Sequence, residues 1–282
     1  KTSEGYSSVN GLPAGTPLSG AIFAVYDKQN NVVDKFQTNE NGIGSSKKLP
    51  LGIYTVKEVQ APANYGLNPT VFTADIEFAG QVVKLNVTDP VITAGVSIKK
   101  TGYAQTMNNN IMRWTVSGVR NDSTTSLQSF YWRDTLPTDA VRLTRLVTGT
   151  YSTTQTYKVT FTTNLNSQWR TAYDNLSTAK NYTLDMSSAA LGLASNEYVT
   201  QFMLSFGIVP AGFHQLTNAT VDAQTLYALT NGYKFTNKAD VGGLLGGNWV
   251  QSIARWTTSI YSHYVPAKPA APKSPTLPRT GY

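Results

Sequence analysis

Five stretches of this chain alternate apolar and polar residues and then end the apolar side on a charged or amide group. By strand alternation, Tyr54, Val56 and Glu58 share a face, as do Val83, Leu85, Val87 and Asp89. The same holds for Val96, Ile98 and Lys100, for Phe130, Trp132 and Asp134, and for Tyr233, Phe235 and Asn237. Charged groups on core faces are costly unless partnered, so the fold must find partners in a dry interior for this amine, these acids and this amide. The vocabulary agrees: Thr, Ser, Asn, Tyr, Gly and Val dominate, and only 14% of residues are charged, which favours strands and polar turns over long helices. The chain has no cysteine, so any covalent staple uses chemistry other than a disulfide.

A length of 282 residues suits about two domains and a tail. In residues 1–91 a Pro/Gly turn at 15–20 leads into the strand Ala21 to Tyr26, the turn Asn39-Glu40-Asn41-Gly42 follows, and strands are expected over Leu51 to Glu58 and Val83 to Asp89. Residues 92–265 carry strand signals at Val96 to Lys100, Met112 to Val119, Phe130 to Asp134, Tyr157 to Thr163, Tyr198 to Phe206 and Tyr233 to Asn237. Gly242-Gly243-Leu244-Leu245-Gly246-Gly247 lacks the lysine and the strand-to-helix setting of a phosphate loop and is expected to be a flexible turn. In residues 266–282, Pro266, Pro269, Pro272, Pro275 and Pro278 recur every three residues, the period of a polyproline II helix, which makes a semi-rigid spacer.

Other functions find little support. The net charge of +7 is scattered rather than gathered with aromatics, against a nucleic-acid surface. His214 and His263 are the only histidines and stand far apart, so neither a metal site nor a catalytic triad is expected, and no cofactor motif appears. No apolar run reaches the roughly 18 residues of a membrane span, and no leader precedes Lys1. The chain reads as a mature or trimmed ectodomain.

Leu277-Pro278-Arg279-Thr280-Gly281 resembles the LPxTG cell-wall sorting signal of Gram-positive surface proteins. Its fixed letters coincide by chance at roughly 1 position in 50,000. The resemblance implies cleavage of Thr280-Gly281 by a sortase and transfer of the Thr280 carbonyl to an amine of a peptidoglycan cross-bridge or a backbone pilin. The segment around Pro17-Leu18-Ser19-Gly20-Ala21 with Tyr54, Glu58, Ala61, Pro62 and Tyr65 resembles a CnaB or SpaA-type pilin domain, whose E-box reads Y-x-x-x-E-x-x-A-P-x-x-Y. That resemblance implies a lysine-to-carboxyl isopeptide bond, with Lys1 as donor, Asp89 as acceptor and Glu58 as proton shuttle. Val96 to Gly102, Trp132 to Pro137 and Tyr233 to Gly243 resemble a CnaA-like isopeptide domain. There Lys100 is the implied donor, Asn237 the acceptor and Asp134 the acid. Glu197 is the reserve acid, set behind Asp134 because Tyr198, Thr200, Phe202, Leu204 and Phe206 read as the core face and turn Glu197 outward. The expectation is an all-β protein of two tandem Ig-like sandwiches. It is a secreted, sortase-anchored minor or basal pilin rather than an enzyme, and the alternative is an adhesin that holds a host matrix protein or glycan.

Overall fold

The computed structural model describes residues 1–103, 105–107 and 111–261, and every regular element among them is a strand. The tail of residues 266–282, with the sorting pentapeptide, and His263 lie outside the described residues.

The first segment holds six strands: β1 (Thr2–Ser3), β2 (Ile22–Tyr26), β3 (Val32–Gln37), β4 (Gly52–Gln60), β5 (Val71–Ile76) and β6 (Thr88–Asp89). Four of them form an antiparallel sheet in the order β3-β2-β4-β5, faced by the parallel ribbon β1-β6. Ala21, Phe23 and Val25 meet Tyr54, Val56 and Val87 to make a small core. The expected long last strand is a correction, because only Thr88–Asp89 pairs. Its partner β1 is two residues long, since the chain turns away into a bridge between Ser7 and Leu12, and Val83 is left 38% exposed. The alternation survives where pairing begins, so Val87 and Asp89 are both buried.

The second segment runs through β7 (Val96–Gly102), β8 (Gln105–Met107), β9 (Met112–Asn121), β10 (Leu127–Thr135), β11 (Val141–Val147), β12 (Thr150–Tyr151) and β13 (Thr156–Thr163). It continues with β14 (Arg170–Ser177), β15 (Thr183–Asp185), β16 (Val199–Val209), β17 (Gln215–Thr217), β18 (Ala219–Thr225), β19 (Lys234–Leu245) and β20 (Asn248–Tyr261). A seven-stranded sheet in the order β14-β13-β16-β10-β19-β20-β8 packs on a five-stranded sheet, β15-β11-β18-β9-β7, giving an Ig-like sandwich larger than the first. Between them lie Trp114, Trp132, Phe130, Phe202 and Phe213, all under 2% exposed. The indole N–H of Trp132 donates to the Tyr151 hydroxyl at 2.8 Å, which donates to the Thr148 carbonyl at 3.0 Å, so the polar tips of these aromatics are satisfied.

The glycine run expected as a flexible turn is corrected in half. Gly242 and Gly243 lie inside β19, where a Cβ would press on Tyr131 at 3.0 Å or Leu127 at 2.9 Å. Only Gly246 and Gly247, at φ 56° and 85°, make the turn, and two residues of positive φ are what a tight hairpin of this kind requires. Between the sandwiches, Tyr65 bridges to Val91, while Ile92 already packs on the larger core.

Candidate functional site

Two buried clusters bring the singled-out ionisable residues together. In the smaller sandwich β1 runs parallel to β6, with Thr2 opposite Thr88 and Ser3 opposite Asp89. Lys1 is fixed at the head of β1: its α-amino group donates to the Gly42 carbonyl at 2.7 Å, and its own carbonyl accepts from the Leu18 N–H at 3.1 Å. Gly42 is required there, since it sits at φ 71° and a Cβ would come within 2.2 Å of the Lys1 carbonyl oxygen. Lys1 Nζ lies over the Phe23 ring, 5.3 Å from its centroid. It donates to Asp89 Oδ1 and stands 3.1 Å from Glu58 Oε1, with all three side chains at most 1% exposed. The backbone N–H of Asn68 donates to Glu58 Oε2 at 2.7 Å and aims that carboxylate. Burial pushes the Asp89 carboxyl up to about 7, with Lys1 opposing the rise and Glu58 adding to it. Of the E-box residues, Tyr54 donates to the Pro50 carbonyl at 3.0 Å. Ala61 is half-buried, Pro62 and Tyr65 are buried, and the loop closes with a Tyr65 N–H bond to the Pro62 carbonyl at 3.2 Å.

In the larger sandwich the three residues come from both sheets. Asp134 on β10 and Asn237 on β19 belong to neighbouring strands of the seven-stranded sheet, with Asp134 opposite Ala239 in register. Lys100 reaches Asp134 from β7, the edge of the facing sheet. Its Nζ donates to Asp134 Oδ2 and lies 5.8 Å from the Trp114 centroid. Burial lowers the Lys100 pKa, partly offset by Asp134, and raises that of Asp134, partly offset by Lys100. The neighbouring Asn237 carboxamide also steadies the Asp134 carboxylate. Even so, among the described residues neither amide atom completes a hydrogen bond of ordinary geometry, and Asn237 is 0% exposed. A buried amide without partners forgoes the hydrogen bonds that usually offset its desolvation. Glu197 stands elsewhere: it accepts from Thr163 Oγ1 at 2.7 Å and from Arg170 at 2.5 Å, and these bonds hold its carboxyl below the usual range.

Comparison with known proteins bears on the first segment most directly. Residues 12–91 match the family described as the SpaA prealbumin-like fold domain. The smaller sandwich is of the SpaA/CnaB type. A stretch of 69 residues is 41% identical to the trypsin-resistant surface T6 protein of Streptococcus pyogenes serotype M6, covering 24% of this chain and 13% of that protein. Among solved structures, the full-length major pilin SpaD of Corynebacterium diphtheriae is 16% identical, over 92% of this chain and 64% of that one, with a TM-score of 0.34. BcpA, the major pilin subunit of Bacillus cereus, is 14% identical, over 87% of this chain and 65% of that one, with a TM-score of 0.29. The chain therefore spans less than two thirds of each of these relatives.

Both clusters hold the groups that amide formation needs. In a dry site a lysine ammonium can pass its proton to a carboxylate, because burial disfavours both charges. The neutral amine of Lys100 can then attack Cγ of Asn237, forming Nζ–Cγ and breaking Cγ–Nδ2, while Asp134 carries the proton from Nζ to the departing ammonia. In the smaller sandwich the same attack by a neutral Lys1 on protonated Asp89 could expel water, with Glu58 placed to carry the proton. Sequence reasoning passed over the rings of Phe23 and Trp114 beneath the amines, although Phe23 lies in an expected strand and Trp114 alternates with Met112 and Val116. Asn68 carried no periodic signal.

Proposed function

We propose that this chain is a structural subunit of a Gram-positive surface fibre, a minor or basal pilin. Two internal isopeptide bonds, Lys1–Asp89 and Lys100–Asn237, stabilise it, and a sortase joins it through Thr280 to a peptidoglycan cross-bridge or a neighbouring pilin. The observation that carries this reading is the recurrence of one buried arrangement, a lysine against a carboxyl beside a second carboxyl or amide, in two separate sandwiches. The SpaA-type match over residues 12–91 and the likeness of 69 residues to a surface protein of S. pyogenes support it, as does the sequence Leu277–Gly281. The chemistry occurs once at each site and is self-modification rather than turnover.

Intact mass tests the bonds. Loss of ammonia at one site and water at the other lowers the mass by about 35 Da in total, and a digest then yields two branched peptides. Full sequence mass with four separate peptides would overturn the covalent reading. For the anchor, a sortase of the source organism should release Gly281-Tyr282 and leave Thr280 on an added amine. Transfer that continues in Thr280→Ala would remove the wall-anchoring assignment. Deletion of the gene separates this reading from the adhesin: loss of anchored fibres supports a basal subunit, whereas intact fibres with lost host binding support the adhesin.

A further inference from the structure

The stretch that joins the sandwiches, Pro90 to Gly95, is held from both sides. The Pro90 carbonyl accepts from the Gly66 N–H at 2.8 Å, an approach that needs a missing side chain, since a Cβ on Gly66 would lie 3.0 Å from the Pro90 ring. Val91 bridges to Tyr65 in the smaller sandwich. From the next residue the larger sandwich takes hold. Ile92 packs on its core, Thr93 exchanges two bonds with Thr124 at 3.0 and 3.1 Å, and the Gly95 N–H donates to Ser123 Oγ at 3.0 Å. A linker between domains that move against each other is instead exposed, flexible and crossed by few contacts.

Two more stretches of the smaller sandwich reach across. Residues 4–12 form a loop fastened by the Glu4 N–H on the Asp89 carbonyl at 2.9 Å, the Ser7 N–H on the Leu12 carbonyl at 2.9 Å and the Gly11 N–H on the Ser7 carbonyl at 2.8 Å. Val9 at the tip of that loop packs on the core of the larger sandwich. In the loop after β4, Asn64 stands at φ 67°, and its side-chain oxygen is so near Gly246 that a Cβ there would come within 2.5 Å of it. Gly246 belongs to the turn between β19 and β20. A linker alone leaves a pivot, whereas contacts from two further stretches oppose turning about it. We infer that the 4–12 loop and the loop around Asn64 form a docking surface for the end of the larger sandwich, which fixes the two domains at one angle as a single stiff body. The tip of the E-box loop thereby has a use apart from its glutamate.

The chain has no cysteine, so spin labels attach only where cysteines are introduced. Lys28→Cys and Lys158→Cys, both at exposed positions, put one label on each sandwich of the full chain. Pulsed electron resonance should then give one narrow distance distribution. Adding Val9→Asp with Gly246→Asn should abolish that single peak. Val9→Asp sets a charge against apolar side chains. Gly246→Asn puts a Cβ against Asn64 yet makes Asn-Gly, a favoured pair for a tight hairpin, so the turn itself is kept. An unchanged circular dichroism spectrum shows that both sandwiches stay folded. Should the spectrum change, Val9→Ala with Asn64→Gly removes the same contacts without a charge, and the same loss of the peak is expected. A broad distribution before any of these joint changes overturns the inference. A narrow one that survives in a folded joint variant overturns it too, and assigns the fixed angle to the linker alone.

Discussion

The two lysine clusters use the same groups under different degrees of enclosure. In the smaller sandwich the amine faces two carboxylates, Glu58 and Asp89, and sits at the head of a two-residue strand. In the larger, Lys100 faces one acid and an amide between two full sheets, where Asp134 and Asn237 are both 0% exposed. The first site can keep a cation against anions and raises Asp89 only to about 7. The second has one charge of each sign and strong desolvation of both, which drives the pair toward the neutral amine and acid that attack requires. Enclosure can thus substitute for the extra carboxylate, and an amide acceptor suits the site where only one acid is present.

The sharpest way to break this comparison is to remove the acid from the more enclosed site. Asp134→Ala should leave the Lys100 and Asn237 peptides separate and restore about 17 Da. Loss of a loop closure of that size is worth on the order of 5 kcal/mol, and the uncompensated lysine adds about 3–5 kcal/mol, so the melting temperature of the larger domain should drop most of all. Retention of the bond would mean that another group carries the proton. In the smaller domain Glu58→Ala should restore about 18 Da and cost slightly less, on the order of 4–5 kcal/mol from the shorter loop, with Asp89 still able to pair with Lys1. If Lys1 and Asp89 still appear as one branched peptide in that variant, the second carboxylate is unnecessary and the contrast between the sites disappears.

A pH series sharpens the comparison at smaller amplitude. Lys1→Met cannot form the bond, and it removes the group that holds the Asp89 pKa down, so that pKa stays above the ordinary 3.8. A carboxyl raised in the folded state favours folding when protonated. The variant's stability should therefore be greatest below about pH 4 and fall as pH climbs through about 7, the value reached by Asp89 in the intact site. A wild type in which Asp89 is tied up as an amide should show no such slope in urea titrations of the small domain. The smallest effect belongs to Glu197→Gln, which disturbs a partly exposed pair with Arg170. It should leave the melting temperature nearly unchanged, as expected of a solvent-screened pair, and leave the mass deficit untouched. Loss of the Lys100–Asn237 bond in that variant would transfer the acid's role from Asp134 to Glu197.

Period-two alternation made most of this legible. It placed Glu58, Lys100, Asp134 and Asn237 on core faces because each sits in a strand long enough to repeat the pattern, and it turned Glu197 away from the core. It failed where pairing is short. Two residues of β1 carry no period, and the run from Val83 to Val87 alternates in sequence yet forms no ladder, since nothing long enough runs beside it. Gly242 and Gly243 read as turn residues because a missing side chain looks the same whether it frees the backbone or makes room for Tyr131 and Leu127. The docking surface was invisible for a related reason: Val9, Asn64 and Ile92 come from separate stretches, and only the fold brings them to the larger sandwich.

The pairing of β8 with β20 bears on how the molecule would respond to a pull between its ends. With both bonds closed, force entering at Lys1 crosses directly to Asp89, runs to Lys100 and crosses again to Asn237, so residues 2–88 and 101–236 lie off its line. What remains in line is the hairpin of β19 and β20, and Asn237 and Tyr261 both stand toward its open end, with Asn237 opposite Trp256. Pulled there, a hairpin unzips one pair at a time with little resistance. The parallel pairs Ser259–Gln105, Ile260–Thr106 and Tyr261–Met107 change that: β8 is held from its Lys100 side while β20 is drawn off from its C-terminal end, so these pairs must slide together before the hairpin can open. Three residues, anchored by the buried Ile260, act as a latch loaded in shear.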